Sequence, residues 1–447
     1  MYISLVELKT YSDTTLLIYA EELYPRLAYI VSTIFPFPAA LTDSWETLQA
    51  HQGPKMNYSM QASGSFIPQV VPQGLLAETD IRAQQIVCFE WEGLKAFFPT
   101  EGTIPFDFLA ASFYLISRYE EYLPHQQDQY GRYRHENSLA YKENFLHQPL
   151  IQLWVKKIME YCSDKGFNRQ LPAFRRPFLF IPTYDIDIAY SYLHHSLFRN
   201  ILGYFRDLIQ GKMQLTSERL RVLGGVQQDP YDVYEWLDLL HSSLQLKPLY
   251  FFLLARHRKG RDKNLSPNRD AMKRLIRHHA ARYTTGIHPS MQSNANEQLL
   301  KQETDTLRFI TGKAVTVTRQ HYIQLRFPDT YRRLQEVGIQ EDYSMGYPGI
   351  NGFRASYTAP FYWFDLSVNA ITGLRIHPFC FMDATAIFNQ RADLMEAAND
   401  LQYFFDTVKD TGGECITIFH NNFLTKQPAF ENWRNMYVDF LLKNLTH

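Results

Sequence analysis

Short apolar and β-branched runs alternate with amphipathic stretches through the second half of the chain. Apolar positions three to four residues apart predict helices, and short apolar runs between polar segments predict strands. The predicted strands cover residues 178–184, 248–254, 284–287, 314–318, 374–382 and 415–419. The predicted helices cover residues 205–222, 231–244, 268–282, 296–310, 330–337, 391–409 and 431–445. This alternation predicts an α/β fold with a mainly parallel sheet or barrel.

The first 160 residues have a less regular pattern. Residues 106–122 and 147–161 have apolar positions at helical spacing, so each stretch predicts a helix. Residues 16–35 are predicted to be helical in part, with a break near Pro25, because proline removes a backbone donor. Residues 125–144 are polar and rich in tyrosine, which is typical of a loop.

Residues 163–177 separate these two patterns, and they contain a glycine, an asparagine, two prolines and three arginines. Such a composition is typical of a linker. The sequence therefore predicts an N-terminal α+β domain of unknown function over residues 1–170 and a second domain over residues 177–447.

Composition excludes several classes of protein. Hydrophobic residues make up 45% and charged residues 20%, which is typical of a globular protein with a sizeable core. Lysine and arginine number 45 against 46 acidic residues, for a net charge of −1. A neutral chain does not attract nucleic acid or an anionic membrane as a whole, so neither partner is expected. The short basic stretch 256–261 predicts a solvated loop.

The cysteines and the N-terminus bear on the compartment. The four cysteines are far apart and form no CxxC pair, which argues against a cysteine zinc site and a disulfide framework. The first residues lack a basic segment followed by an apolar one, as a signal peptide would have, and no run of about 20 apolar residues occurs. A cytoplasmic location is expected.

Titratable residues follow four of the predicted strands. Because the active sites of β/α barrels lie at the carboxyl ends of their strands, these side chains are expected to converge. They are Asp185 and Asp187, His288, Arg319 and His321, and His420.

Each of these residues fits a chemical role, and each also has an ordinary structural explanation. Asp185 and Asp187 are two apart, so in an extended chain they point to the same side and repel each other unless a cation or an arginine intervenes. A metal ion can bind one carboxylate while the other acts as a base; alternatively, both are solvated acids or one caps a helix. His288 and His420 suit metal binding or an ordinary hydrogen bond. Arg319 suits the orientation of a carboxylate.

The order of these motifs resembles the polysaccharide deacetylases, a carbohydrate esterase superfamily that includes chitin, peptidoglycan and xylan deacetylases. Residues 183–187 (TYDID) resemble its first motif, His288 the start of its second, residues 319–322 its third and His420 its last. The stretch 352–355 (GFRA) resembles a recurring element of bacterial members. The resemblance implies a distorted parallel (β/α) barrel over residues 177–447. Upstream, residues 117–125 (SRYEEYLPH) resemble an uncharacterised domain that accompanies such barrels.

Two departures from the family pattern stand out. The second motif usually has another histidine four residues after the first, where this chain has Gln292. The first and second motifs are also about a hundred residues apart, which implies an inserted helical segment around residues 194–244.

The resemblance assigns a role to each matching residue. The implied set is Asp187 and His288 as ligands of a divalent metal ion, zinc first; His321 as the third ligand, with Ser290 and Gln292 as alternatives; Asp185 as general base, held by Arg319; and His420 as general acid.

The predicted function is a metal-dependent hydrolase that removes acetyl groups from N- or O-acetylated carbohydrate. Two alternatives remain open at this point. The loss of a histidine at position 292 favours an amidohydrolase of the same fold that works without a metal. Aromatic residues at 15% of the chain, together with the unassigned N-terminal region, favour a carbohydrate-binding or scaffolding protein without activity.

Overall fold

The computed structural model describes residues 11–62, 66–167, 176–256 and 260–446. Its strands are β1 Leu16–Ala20, β2 Ala39–Thr42, β3 Lys55–Tyr58, β4 Gln69–Val70, β5 Cys88–Trp91, β6 Leu94–Phe97, β7 Phe178–Ile186, β8 Leu249–Leu253, β9 Thr284–His288, β10 Val317–Thr318, β11 Glu341–Met345, β12 Phe361–Asp365, β13 Ala370–Pro378, β14 Phe381–Met382 and β15 Gly413–His420. Its α-helices are α1 Pro25–Ile34, α2 Trp45–Ala50, α3 Phe108–Ile116, α4 Leu139–Lys142, α5 Leu150–Asp164, α6 Leu197–Ile209, α7 Met213–Leu223, α8 Tyr234–Ser243, α9 Asp270–Arg282, α10 Glu297–Thr311, α11 Asp329–Glu336, α12 Leu394–Thr411 and α13 Glu431–Leu445.

A curled nine-stranded sheet dominates the second half of this mixed α/β structure. Its strand order is β12-β13-β11-β10-β9-β8-β7-β15-β14, and all neighbours are parallel except β12 and β13. The central strand β8 is buried along its whole length, as expected for a sheet covered on both faces. The segment after β13 forms hydrogen bonds with two strands that are far apart in the strand order, β11 and β15. The Phe379 amide donates to the Met345 carbonyl of β11 (3.1 Å), and the Cys380 amide donates to the Ile416 carbonyl of β15 (3.2 Å).

The N-terminal residues form a smaller sheet of their own. Its strand order is β2-β1-β3-β4, with every pairing parallel, and β5 and β6 form a separate antiparallel hairpin. The prediction of partial helix over residues 16–35 is wrong for residues 16–20, which form β1 between two parallel neighbours. Pro25 is the first residue of α1 rather than a break within a helix, and proline suits that position because the amide there has no helical partner.

Most predicted elements of the second half agree with the structure, and the differences have local causes. The stretch predicted as one helix over residues 205–222 is two helices, because Gly211 adopts a left-handed conformation (φ 67°) between α6 and α7. Strands β11 and β12 were not predicted. Much of the predicted linker, residues 168–175, lies outside the described residues, as do residues 257–259 of the basic stretch. No helix in the described part of the chain is long and apolar enough to cross a membrane.

Four buried charged side chains join the two halves. Arg354 donates to Glu121 through Nε (2.9 Å), and Arg118 donates to the carboxylates of Glu121 (2.8 Å) and Glu120 (2.8 Å). None of these four side chains is more than 9% exposed. The stretches 117–125 and 352–355, far apart in sequence, therefore meet in a single ion-pair cluster inside a continuous hydrophobic core.

Candidate metal and hydrolytic site

The titratable residues that follow the predicted strands converge at one end of the curled sheet. Asp185 is the penultimate residue of β7, and Asp187 follows the strand directly. β9 ends at His288, β10 is followed by Arg319 and His321, and β15 ends at His420. Because these strands run parallel in one curled sheet, their carboxyl ends bring the side chains to one cleft.

His288 presents one ring nitrogen to Asp187. Its Nδ1 lies 2.6 Å from the Arg319 carbonyl oxygen, which can only accept a hydrogen bond, so Nδ1 carries the proton. The unprotonated Nε2 then faces Asp187 Oδ1 at 3.2 Å. This is the tautomer that binds a metal ion.

His321 approaches the same carboxylate from the next loop. Its Nδ1 lies 3.0 Å from Oδ1 of Asp262, and its Nε2 lies 3.5 Å from Oδ2 of Asp187. Tyr322 and Ile323 both have positive φ (59° and 52°), and this sharp turn directly follows His321. Donor atoms of Asp187, His288 and His321 all lie within 4.8 Å of one another.

The electrostatics of Asp187 fit a cation. Oδ1 of Asp187 is buried and accepts no hydrogen bond from any described residue, although Nε2 of His288 is close. A carboxylate oxygen and an imidazole lone pair repel each other unless a positive charge lies between them. Burial by itself would raise the pKa of Asp187, but His321 and His288, in their positively charged forms, outweigh burial and hold that pKa well below its usual range. The site therefore favours a positive charge beside this carboxylate. Two imidazoles, one carboxylate and an open position make up the donor set of a catalytic zinc site.

Two further pairs flank these three residues. Nη1 of Arg319 donates to Asp185 Oδ1 (2.9 Å) and to the Thr183 hydroxyl (2.6 Å), and the whole arginine side chain is buried. The Asp185 carboxylate is thereby fixed beside His288, with Oδ2 at 3.7 Å from Nε2. A fixed carboxylate in this position can accept a proton.

His420 is held by Asp383. Its Nδ1 lies 2.6 Å from Asp383 Oδ1, and its Nε2 lies 3.8 Å from Asp187 Oδ2. Burial lowers the pKa of His420, but the charge of Asp383 and its hydrogen bond outweigh burial and raise that pKa to about 10. The imidazole is therefore protonated at neutral pH and can donate a proton from Nε2.

The two alternative third ligands have other contacts. The Ser290 hydroxyl accepts from the Ser293 amide, and Nε2 of Gln292 donates to Asp262 (3.3 Å). Asp262 and Asp383, which orient two of the histidines, were missed by the sequence analysis. Asp262 lies in a loop with no local pattern. Asp383 directly follows the predicted strand 374–382, so a search for titratable residues after this strand, as after the four others, would have found it.

The site opens into a cleft of about 410 Å³ with aromatic side chains on its walls. Tyr130 and Tyr322 lie together, with ring centroids 5.5 Å apart, and the guanidinium of Arg261 lies 3.9 Å from the Tyr130 ring. Phe388 and Phe423 form a second aromatic pair in the lining, with centroids 5.4 Å apart. Tyr130 comes from the N-terminal region, so that region supplies part of the cleft.

A larger groove of about 1090 Å³ runs along α8 and α9, away from these residues. In this groove Asp238 pairs with both His278 (2.6 Å) and Arg282 (2.6 Å), and the other charged side chains of the lining do not converge on one point with them. The smaller cleft, with several titratable groups aimed at one point, is therefore the candidate site.

Comparison with known proteins gives a partial family match. A family of unknown function, DUF7033, matches residues 16–166, about a third of the chain. This range includes the stretch 117–125. No curated protein matches the sequence.

Several solved structures of polysaccharide deacetylases resemble part of the chain. A candidate polysaccharide deacetylase from Mycobacterium smegmatis is 12% identical, with 61% of this chain and 87% of that one covered and a TM-score of 0.38. A polysaccharide deacetylase from Bacillus cereus is 11% identical, with 60% and 88% covered and a TM-score of 0.30. A candidate polysaccharide deacetylase from Pseudomonas aeruginosa is 11% identical, with 61% and 85% covered and a TM-score of 0.35. At identities this low, the activity has to be inferred from the side chains of the chain itself.

Proposed function

We propose that this protein is a metal-dependent hydrolase that removes acetyl groups from N- or O-acetylated carbohydrate. One observation carries the proposal: the Nε2 atoms of His288 and His321 face the Asp187 carboxylate, whose Oδ1 is buried without a hydrogen-bond donor among the described residues. These three residues would hold a divalent metal ion, zinc first. His321 would thus supply the ligand that the family pattern has at position 292.

The surrounding residues support an acid–base mechanism. A metal ion bound here would polarise the acetyl carbonyl and acidify a water molecule. Asp185, fixed by Arg319, accepts one proton from that water as its oxygen bonds to the acetyl carbon. His420 donates the proton on Nε2 to the leaving nitrogen or oxygen as the bond to the acetyl carbon breaks. The products are acetate and the free amine or hydroxyl of the sugar.

The cleft walls favour a sugar as the substrate. Tyr130 and Tyr322 on one part of the lining, and Phe388 and Phe423 on another, present flat apolar rings beside the candidate metal site. Sugar rings have apolar faces that suit such surfaces, while their hydroxyls stay hydrated. A carbohydrate acetyl group is therefore the favoured target.

We extend the proposal to the architecture. The curled sheet would correspond to the distorted (β/α) barrel of the polysaccharide deacetylases over residues 177–447, preceded by an N-terminal domain over residues 1–170. In support, Phe379 and Cys380 bond to β11 on one side and to β15 on the other. The position of Tyr130 in the cleft lining supports a role for the N-terminal region in substrate binding.

Metal content and acetate release test this proposal together. The purified protein is expected to contain about one zinc or similar ion per chain by elemental analysis, and to release acetate from acetylated sugar oligomers. Asp187→Ala removes the shared ligand, so both the ion and the activity should be lost. Asp305→Ala, which changes an exposed carboxylate on α10, serves as the control and should keep both.

Two results would contradict the proposal. If the protein takes up no zinc, cobalt or nickel and still hydrolyses a cyclic amide, the metal-independent amidohydrolase is the better description. If acetylated sugars bind without turnover in the presence of these metals, the protein is a carbohydrate-binding protein.

A further inference from the structure

Helix α6 has the opposite polarity to an ordinary surface helix. Six large apolar side chains on α6 and at the start of α7 are each more than half exposed. They are Leu197, Phe198, Leu202, Phe205, Ile209 and Met213. Soluble proteins tolerate single exposed apolar residues, but a contiguous apolar face marks an interaction surface.

The inward face of α6 is polar, and it fixes the orientation of the helix. Asp207 and Asn200 are buried, and both accept hydrogen bonds from Arg219 of α7, at 2.7 and 3.0 Å. The Arg219 guanidinium also lies 4.5 Å from the ring of Tyr192. If α6 rolled to bury its apolar face, the Asp207–Arg219 ion pair would be broken. The outward apolar face is therefore a stable feature of the fold.

The charge of the α6–α7 segment is strongly positive. Residues 197–226 contain five basic and two acidic residues, while the whole chain has a net charge of −1. Of the two acids, Asp207 is buried and pairs with Arg206 (2.7 Å) and Arg219 (2.7 Å), and Glu218 accepts hydrogen bonds from Tyr192 and Gln427. The basic side chains of Arg206, Lys212 and Arg221 are exposed around the apolar face.

We propose that the α6–α7 surface docks on an anionic lipid bilayer. A helix with one apolar face and basic residues beside it lies in the headgroup region, with its apolar side chains inserted and its cations near the phosphates. Charge complementarity favours lipid over a second copy of the chain, because two copies facing each other would bring like charges together. The proposal is independent of the hydrolytic function.

The net charge of the chain and the absence of long apolar runs do not bear on whether this surface binds a membrane. Net charge averages over the whole chain, and the length of apolar runs reports only on spanning helices. A docked α6–α7 surface would hold the hydrolytic cleft near the bilayer, because Phe430 lines the groove beside α6 and its ring lies 5.1 Å from Phe423 in the cleft wall. Acetylated sugars displayed at the same bilayer would then be within reach of the proposed hydrolytic site.

Cosedimentation with lipid vesicles tests the docking. The full chain should bind vesicles of phosphatidylcholine with phosphatidylglycerol and bind pure phosphatidylcholine much more weakly. Phe205→Ser combined with Ile209→Ser should weaken binding about 100-fold, since burial of each large apolar side chain contributes roughly tenfold or more. Phe309→Ser, at a residue of α10 that is 78% exposed, is the matched control and should bind as the parent does.

A second variant tests the charges. Lys212→Glu combined with Arg221→Glu should weaken binding to the anionic vesicles at least about tenfold. Equal binding of the parent to both kinds of vesicle, or binding to neither, would overturn the proposal. So would a lipid-free dimer that Phe205→Ser with Ile209→Ser converts to monomer, because the surface would then be a self-association interface. Circular dichroism spectra and urea unfolding midpoints equal to those of the parent show that these variants are folded.

Discussion

At the scale of single residues, the same kind of hydrogen bond orients all three histidines of the candidate site. Each donates from Nδ1 to an oxygen: His288 to the Arg319 carbonyl, His321 to Asp262 and His420 to Asp383. Each Nε2 is thereby directed at Asp187. The acceptors behind metal-bound histidines fix the tautomer and the ring orientation, so they contribute to affinity without touching the metal ion.

The Asp262 carboxylate should therefore matter for metal binding. In Asp262→Ala the imidazole of His321 loses its acceptor, and zinc affinity measured by calorimetry should fall about 10- to 100-fold. Nitrogen NMR of His321 should show loss of the Nδ1-protonated tautomer. Asp305→Ala, which removes an exposed carboxylate on α10, is the control. Unchanged zinc affinity in Asp262→Ala would mean that His321 is not a ligand.

The Asp383 carboxylate should set the alkaline limit of activity. It raises the pKa of His420 to about 10, so the acid form is present throughout the neutral range. In Asp383→Asn the charge is lost while burial remains, so that pKa falls and the proton is lost at lower pH. The alkaline limb of the kcat/KM profile should move to lower pH while the acid limb stays. If the alkaline limb of the profile does not move in Asp383→Asn, His420 is not the general acid.

At the scale of elements, the sequence predicts the strands made of apolar residues but not a buried strand made of polar ones. Residues 178–184 and 415–419 are mostly apolar or β-branched, and both lie in strands with a neighbour on each side. β11 (EDYSM) is polar in sequence but almost wholly buried, because its Asp342 is hydrogen-bonded by Ser344 and Tyr331. Polar residues satisfied only by tertiary contacts give no local signal.

The residues of the candidate site divide in the same way, into those near strand ends and one in a loop. Asp185, Asp187, His288 and His420 lie within one residue of the carboxyl ends of their strands, so position along the chain was enough to group them. Asp262 pairs with a histidine 59 residues away across a loop, and only the folded chain brings the two together. The site residues at the strand ends were therefore predictable from the sequence. Asp262, the carboxylate that accepts the hydrogen bond from His321, was not.

Gly346, just after β11, should be intolerant of a side chain. A Cβ there would lie 2.3 Å from the ring of Phe379, which is buried where the chain bonds to both β11 and β15. Gly346→Ala should destabilise the protein by about 1–3 kcal/mol, measured by urea unfolding. Gly373→Ala in β13, where no atom lies within 4 Å of the new Cβ, should have a much smaller effect. Equal stability of the two variants would contradict this packing.

At the scale of the whole molecule, the buried cluster of Arg118, Glu120, Glu121 and Arg354 connects the N-terminal region to the curled sheet. Burial opposes ionisation of Glu121, but Arg354 and Arg118 lower its pKa, so the carboxylate is charged in the folded protein. A buried ion pair need not stabilise a fold relative to apolar packing, but loss of one partner is costly.

Glu121→Gln should therefore destabilise the protein by about 3–5 kcal/mol, because two buried guanidinium groups lose a charged partner. Chemical unfolding measured by both fluorescence and circular dichroism is the appropriate assay. The exposed pair of Arg308 and Asp305 gives a matched comparison, and Asp305→Asn should cost at most about 1 kcal/mol. A cost for Glu121→Gln as small as this would mean that water reaches the cluster.

The contribution of Tyr130 to the cleft wall has a consequence for how such a protein diversifies. The side chains of the candidate site come from the curled sheet and the loops that follow its strands, whereas this ring comes from the other region of the chain. Recombination that exchanged the first 166 residues would leave the chemistry in place and reshape the entrance, provided that the incoming region also supplied carboxylates for Arg354. Reactivity and selectivity could then evolve separately, while shared buried charges restrict which halves can be combined.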